Sequence, residues 1–179
     1  MSKTEKLIIL GPSGSGKAFL MNEIIKKGLK PCLKWTTRPI RKGEKNGLTY
    51  NYVSEDFFTE SIKKDKFISY EKIDVTTDGK EKSWYYGITR NDFKESQAFI
   101  MTPSQYQSLD FRKNERAGCF VVYLDIDRKI RESRLHEKSK NDLKLKLDAD
   151  EIDFKGFGDY DLKVTDPDFS ADDIYDLMD

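Results

Sequence analysis

The chain has 179 residues, with 32 Lys and Arg against 32 Asp and Glu, and a single histidine, His136. That length suits one domain, or one domain carrying an insert, and the zero net charge excludes a general nucleic-acid-binding surface while leaving room for a local basic cleft. One histidine excludes chemistry that needs two imidazoles, the two cysteines Cys32 and Cys119 exclude a disulfide framework, and no apolar run approaches the ~20 residues of a membrane helix.

Lys6–Leu10 reads as a short buried strand, Gly11–Gly16 as a glycine-rich turn, and Lys17–Lys27 as a helix stopped by Gly28. Strand, turn and helix in that order open an α/β unit. Residues 29–90 change character. Leu48–Val53 and Ser83–Ile88 are aromatic and β-prone, Thr77–Lys80 is a hairpin-turn signal, and Glu55–Lys64 predicts a short helix. Together they predict an inserted lobe of short strands over residues 34–88. The α/β pattern then resumes with a strand at Ala98–Met101 and a helix at Ser104–Lys113, capped by Thr102 or Ser104. Cys119–Leu124 is the clearest buried strand, and Arg128–Glu137 a basic helix with Asp127 as its N-cap. Leu143–Leu147 alternates like a strand, but its flanking charges favour a helix. A strand at Leu162–Thr165 and a helix capped by Ser170 close the chain.

Gly11-Pro12-Ser13-Gly14-Ser15-Gly16-Lys17 fits G-x-x-x-x-G-K between a predicted strand and a predicted helix, the context a phosphate loop requires. The glycines let backbone N–H groups converge on a phosphate, the helix N-terminus adds a favourable field, and Lys17 reaches the β- and γ-phosphates. The next position, where a Ser or Thr hydroxyl would serve Mg²⁺, is Ala18. Alanine offers no ligand, so weaker metal organisation follows, with Mg²⁺ keeping more water and using nucleotide oxygens.

Thr36-Thr37-Arg38-Pro39-Ile40-Arg41-Lys42-Gly43-Glu44-Lys45-Asn46-Gly47-Leu48-Thr49-Tyr50-Asn51-Tyr52-Val53 resembles the guanylate kinase family pattern T-T-R-x-x-R-x-G-E-x-x-G-x-x-Y-x-F-V. Its spacing from the phosphate loop is also right, and Phe67, Tyr85-Tyr86-Gly87 and Tyr160–Val164 are similar too. The resemblance implies a P-loop NTPase core of three layers with a parallel sheet, an inserted small β-rich lobe for the nucleoside monophosphate, and a short helical lid, placed at residues 137–146, within a single domain over 1–179. It also implies that Arg38, Arg41 and Tyr50 grip the acceptor phosphate and that Tyr86 stacks near the base. The chemistry agrees, since guanidinium forks match a phosphate dianion. A solvated turn with surface arginines is the plainer reading of the same residues.

The departures concern the base. The family glutamate that reads guanine is replaced by Ser69, with Glu71 two positions on as a substitute. The family serine or threonine four before the first arginine is Lys34, and both aspartates of the strand that usually ends L-D-I-D are absent from Ile100-Met101-Thr102-Pro103. Losing a carboxylate that accepts from guanine predicts relaxed or altered base specificity. Leu124-Asp125-Ile126-Asp127 lies one strand too late to replace that motif, and Asp125 becomes a metal candidate only if the alignment slips.

The lid arginines of the family correspond to Arg131 and Arg134, three apart on one helical face, with Lys146 for the later one. Such a lid acts by charge stabilisation, not by a covalent nucleophile. The resulting expectation is a kinase that moves the γ-phosphoryl group of ATP, with Mg²⁺, to GMP, dGMP or another nucleoside monophosphate. Lys17, Arg134, Arg131 and Lys146 carry the transfer, Gly11, Ser13–Lys17 and Ala18 hold the donor, and Lys34, Arg38, Arg41, Tyr50, Ser69, Glu71 and Tyr86 hold the acceptor. The alternative is a non-catalytic module on the same fold that binds nucleotide or phosphorylated peptide. Free cysteines and the lack of a secretory h-region predict a cytoplasmic protein. A monomer or weak homodimer is expected, with no nucleic-acid or membrane partner.

Overall fold

A computed structural model describes residues 5–77, 80–109, 116–136 and 140–178. The chain falls into two compact units, Met1–Pro31 with Gln97–Pro103 and Lys113–Asp179, and Cys32–Ser96 with Ser104–Arg112.

The first unit is built on four parallel strands in the order β6-β1-β7-β8: β1 is Lys6–Leu10, β6 Ala98–Ile100, β7 Cys119–Leu124 and β8 Leu162–Val164. β1 pairs with both β6 and β7, and Leu7, Ile8, Ile9 and Leu10 are fully buried. A continuous apolar run is what a strand covered on both faces requires. On one face, Leu7, Ile9, Val122 and Leu124 pack with Leu20 and Ile24 of helix α1 (Lys17–Lys26) and with Ile174 of helix α7 (Ala171–Asp176). Tyr123 alternates to the other face. There it stacks on Phe154 at 5.4 Å, just past helix α6 (Lys140–Asp153), and meets Phe157 edge-on at 5.5 Å. Helix α5 (Arg128–Arg134) starts at Asp127, whose carboxylate accepts from the Lys129 amide, as the sequence predicts. Among the described residues no helix is long and apolar enough to cross a membrane.

The second unit holds the mixed sheet β3-β2-β5-β4, with β2 at Trp35–Thr36, β3 at Asn51–Tyr52, β4 at Phe67–Thr77 and β5 at Lys80–Thr89. β4 and β5 form the long hairpin whose last pair is Thr77 with Lys80. The predicted turn residues 78–79 lie outside the described residues. Helix α2 (Glu55–Lys63) is capped by Ser54, which accepts from the Phe57 amide, and helix α3 (Arg90–Glu95) is capped by Thr89. Phe58 of α2 stacks on Phe67 at 4.3 Å, and both rings crowd Gly87, where a Cβ would lie 2.8 Å from Phe67 and 2.9 Å from Phe58. Gly87→Ala therefore overpacks this core, and a loss of about 1–3 kcal/mol is expected, read as a lower denaturant midpoint at unchanged slope.

Several predicted elements change. The strand expected at Leu48–Val53 shrinks to Asn51–Tyr52. Gly47 adopts φ 76°, and the Leu48 and Thr49 amides donate back to the Lys45 carbonyl, making a turn. The helix expected at Ser104–Lys113 is the short α4 (Pro103–Gln107), and residues 110–113 lie outside the described residues. α5 stops at Arg134 because Leu135 is extended. Leu143–Leu147 is helical, inside α6.

Candidate functional site

The phosphate loop lies where β1 ends and α1 begins. Gly14 (φ 78°) and Gly16 (φ 102°) are left-handed, which an L side chain resists. A Cβ on Gly14 would also lie 2.8 Å from the Arg131 carbonyl oxygen. Gly16 stands at the N-cap of α1 without a side-chain cap, so the first helical amides remain available for an anion. Ser15 is fully buried beneath the loop, tied by its amide to the Pro12 carbonyl, and its Oγ has no hydrogen-bond partner among the described residues. The Lys17 ammonium folds onto the loop, donating to the Gly11 carbonyl at 2.6 Å and the Pro12 carbonyl at 2.8 Å.

Three further groups converge on the same loop within this unit. Arg131 is buried, donates from Nε to the Ile126 carbonyl at 2.9 Å and from Nη1 to the Ser13 carbonyl at 3.4 Å, and lies 3.8 Å from Asp150. Arg134 donates to the Gly14 carbonyl at 3.3 Å and the Pro167 carbonyl at 3.0 Å. Asp150 of α6 accepts from the Ser13 amide at 2.9 Å. A carboxylate oxygen thus stands on a loop amide, beside a guanidinium, in surroundings that suit an anionic oxygen. Lys146 lies on the exposed side of α6. Asp125 accepts from the Tyr123 hydroxyl and pairs with Lys163 at 2.9 Å.

The cradle fits a nucleotide's phosphates, but position 18 contributes no oxygen to a cation. Among the described residues no group of three or more His, Cys, Asp or Glu is arranged to hold a metal ion. Ala18 offers a bound Mg²⁺ no side-chain oxygen, so nucleotide phosphate oxygens and water would supply ligands in its place.

The second unit gathers the predicted acceptor residues. Arg38 is buried and forked onto Glu44, with Nη1 to Oε2 at 3.0 Å and Nη2 to Oε1 at 2.8 Å, and Nη1 also reaches the Pro39 carbonyl. The Tyr52 hydroxyl and the Arg41 amide also donate to Glu44, each at 2.7 Å. The Arg41 side chain is exposed. Tyr50 lies edge-on to Tyr86 at 6.1 Å, with the Arg38 guanidinium 5.4 Å from the Tyr50 ring centre. Burial and then Tyr86 push the Tyr50 hydroxyl pKa up.

The Arg38 hydrogen bonds hold the Glu44 carboxyl down at about 2, from the usual 4.5, with the Tyr52 and Arg41 donors adding to the effect. A depressed carboxylate pKa stabilises the fold above the unfolded-state value, and that contribution is lost as pH falls through the folded-state value. Melting temperatures of wild type and Glu44→Gln between pH 7 and pH 2 should therefore converge below about pH 4.5, where the wild type alone loses this contribution. A constant gap between the two curves would show that the Glu44 charge does not matter.

The residues expected near the base form one network. Lys34 Nζ donates to Gln105 Oε1 at 2.6 Å, and Gln105 Nε2 donates to Glu71 Oε1 at 2.6 Å. Ser69 is buried and donates to the Gln105 carbonyl at 2.8 Å, so its hydroxyl supports the backbone of α4. Burial lowers the Lys34 ammonium to about 8 against the pull of Glu71. Glu44, Gln105 and Asp150 escaped the sequence reading. Glu44 had a local signal, six residues after Arg38 and one after Gly43. The other two are marked only by partners far away in the chain.

The family model described as guanylate kinase matches residues 3–171. A guanylate kinase of Bdellovibrio bacteriovorus is 26% identical over 184 residues, covering 92% of this chain and 98% of that protein. One of Rickettsia prowazekii is 26% identical over 170 residues, covering 92% and 84%. The crystal structure of guanylate kinase from Anaplasma phagocytophilum matches with a TM-score of 0.68 at 17% identity, over 99% of this chain and 86% of that one, a likeness of fold.

Proposed function

The chain belongs to the guanylate kinase family, whose members are ATP-dependent nucleoside monophosphate kinases, and on that premise we propose that it transfers the γ-phosphoryl group of ATP to GMP or dGMP. The observation that carries this reading is the intact phosphate loop, with Lys17 folded inside it and two arginines of α5 on its carbonyls. A pure peptide binder has no use for that arrangement.

Phosphoryl transfer needs positioning and charge stabilisation. Lys17 exchanges its bonds to Gly11 and Pro12 for donor phosphate oxygens, and the amides of Ser13–Ala18 receive the rest. Asp150 yields the Ser13 amide as the donor binds. Arg134, helped by Arg131, neutralises charge on the transferring group, and Lys146 provides a weaker, non-planar cation. Mg²⁺ bound to the nucleotide supplies charge neutralisation between its phosphates. In the acceptor lobe, assigned to residues 34–88, the exposed Arg41 fork and the Tyr50 and Tyr86 hydroxyls take the acceptor phosphate. Arg38 adds its field while holding Glu44. Residues 137–146 serve as the lid, of which 137–139 lie outside the described residues.

Ala18 and Ser69 favour a second reading, a non-catalytic module that binds nucleotide or phosphorylated peptide. Nucleoside diphosphate formation from Mg·ATP with each ribo- and deoxynucleoside monophosphate separates the two. GMP-dependent diphosphate formation is expected. Folded protein that turns over none of the acceptors would move the assignment to the module.

A further inference from the structure

A cleft of about 380 Å³ opens in the second unit between the end of α2, the start of β4 and the start of α3, walled by Trp35, Phe57 and Phe67. Small-molecule sites run from about 300 to 1,000 Å³, so the cleft suits a small ligand. It lies on the sheet face opposite Tyr86. Trp35 and Thr36 are successive in β2 and point to opposite faces. Thr36 pairs with Tyr86, whereas Trp35 pairs with Gly87, on whose side a Cβ would meet Phe58 of α2. The cleft therefore shares the face that α2 covers and is separate from the acceptor residue Tyr86.

Its walls are held in place. The Trp35 and Phe57 rings lie 13° from parallel with centres 5.7 Å apart, and the indole N–H donates to Asp92 Oδ2 at 2.7 Å. The same oxygen accepts from the Thr89 hydroxyl. The turn after α2 passes through Asp65 at φ 52°, where the Lys66 amide donates to the Ser61 carbonyl at 3.0 Å. The Arg90 amide then donates to the Lys66 carbonyl at 2.8 Å. Backbone bonds thus join all three elements around the cleft.

Two polar groups of the lining are left over. Arg90 is matched by Asp65, donating to its carbonyl at 3.2 Å and its carboxylate at 3.0 Å. Lys66 has no carboxylate partner among the described residues, and its ammonium lies 5.9 Å from the Phe57 ring centre. Ser61 is only 3% exposed, and its hydroxyl makes no hydrogen bond among the described residues. A buried hydroxyl and an ammonium beside aromatic walls call for an oxygen anion carried on an apolar body. Asp92, the carboxylate of the lining, opposes a second negative charge.

We propose that this cleft binds a small aromatic monocarboxylate. The ring packs on Trp35, Phe57 and Phe67, and the carboxylate accepts from the Lys66 ammonium and the Ser61 hydroxyl. Multiply charged phosphates are excluded by Asp92 and by the apolar walls. The site stands whether or not the acceptor lobe serves a kinase.

Trp35 and Trp84 are the two tryptophans, so Trp84→Phe leaves the wall indole as the reporter of the cleft. The full chain carrying that change is titrated with 3-phenylpropanoate, with its neutral amide and with inorganic phosphate, each with and without GMP. 3-Phenylpropanoate is expected to half-saturate the Trp35 fluorescence change near about 1 mM, the scale for a ligand of that size. The amide should bind at least about tenfold more weakly, because it forfeits a charge-assisted bond. Phosphate should produce no change, and GMP should leave the carboxylate affinity within about twofold, since it does not compete for a separate site. Adding Lys66→Met, which keeps the stem, should lower carboxylate affinity at least about tenfold and erase the preference over the amide, and Ser61→Ala should lower it about threefold or more. Thermal melts show that both variants are folded. Absence of a saturable change overturns the proposal, as does equal binding of acid and amide. Unchanged affinity in Lys66→Met overturns it too. Displacement by GMP or an equal response to phosphate would place the anion elsewhere and overturn it as well.

Discussion

Replacing Lys17 with alanine is expected to lower kcat by about 10²–10³-fold, the usual consequence of removing one preorganised donor from developing charge. The ammonium already lies inside the loop, 2.6 Å from the Gly11 carbonyl and 2.8 Å from the Pro12 carbonyl. These contacts position it without anchoring it. Two carbonyl oxygens are weaker partners than a polyphosphate, so the exchange on donor binding is favourable. The contacts contribute little to folding, because the half-buried site lets water replace them, and stability should change by no more than about 1 kcal/mol. Saturating Mg·ATP and acceptor isolate kcat, and a thermal melt alongside shows that the variant is folded. Turnover within tenfold of wild type would mean that other groups hold the transferring phosphate. The two α5 arginines at the Ser13 and Gly14 carbonyls would then be the first candidates.

Arg131→Met is expected to destabilise the protein by about 3 kcal/mol, the scale for breaking a buried ionic network from one side. For a chain of this size that corresponds to a fall of about 10 °C in melting temperature. Arg131 is only 3% exposed, although the family resemblance counts it among the lid arginines. Its guanidinium ties the start of α5 to the phosphate loop through the Ile126 and Ser13 carbonyls, and it lies 3.8 Å from Asp150 and 4.0 Å from Glu151. Methionine keeps most of the buried stem and removes the charge, so the loss reports the guanidinium and not the packing. Lysine should recover only part of it, because a single ammonium cannot fork between these partners. A shift below about 3 °C would show that the guanidinium is held in reserve for the nucleotide.

The two predictions differ in how far each could be read from the sequence. Lys17 belongs to seven consecutive residues, and the geometry of a phosphate loop follows from them. Glycines at 14 and 16 permit the left-handed turns, the apolar run before them makes β1, and Lys17 opens α1. β1 and β7 were legible for a similar reason, since a strand buried on both faces announces itself as an unbroken apolar run. The long strand β4 did not. It pairs only with β5 among the described residues, Tyr70 and Ile73 are exposed, and Glu71, Lys72 and Asp74 interrupt any alternation. An edge strand need not carry the pattern by which strands are recognised.

By itself the sequence determined the phosphate loop, the strand and helix that flank it, and the family resemblance carried by the arginine-rich loop at 36–53. These are properties of contiguous segments, fixed by local backbone freedom and hydrophobic periodicity. Only the tertiary structure decided which partner each charged group takes. Arg38 is forked onto Glu44, Arg131 is buried on backbone carbonyls, Asp150 reaches the Ser13 amide across 137 positions, and Gln105 joins Lys34 to Glu71 across 71 and 34. A charge in sequence has many candidate partners of opposite sign. The choice among them follows from burial, which makes an unpaired group costly and so favours the arrangement that leaves the fewest buried donors and acceptors unsatisfied.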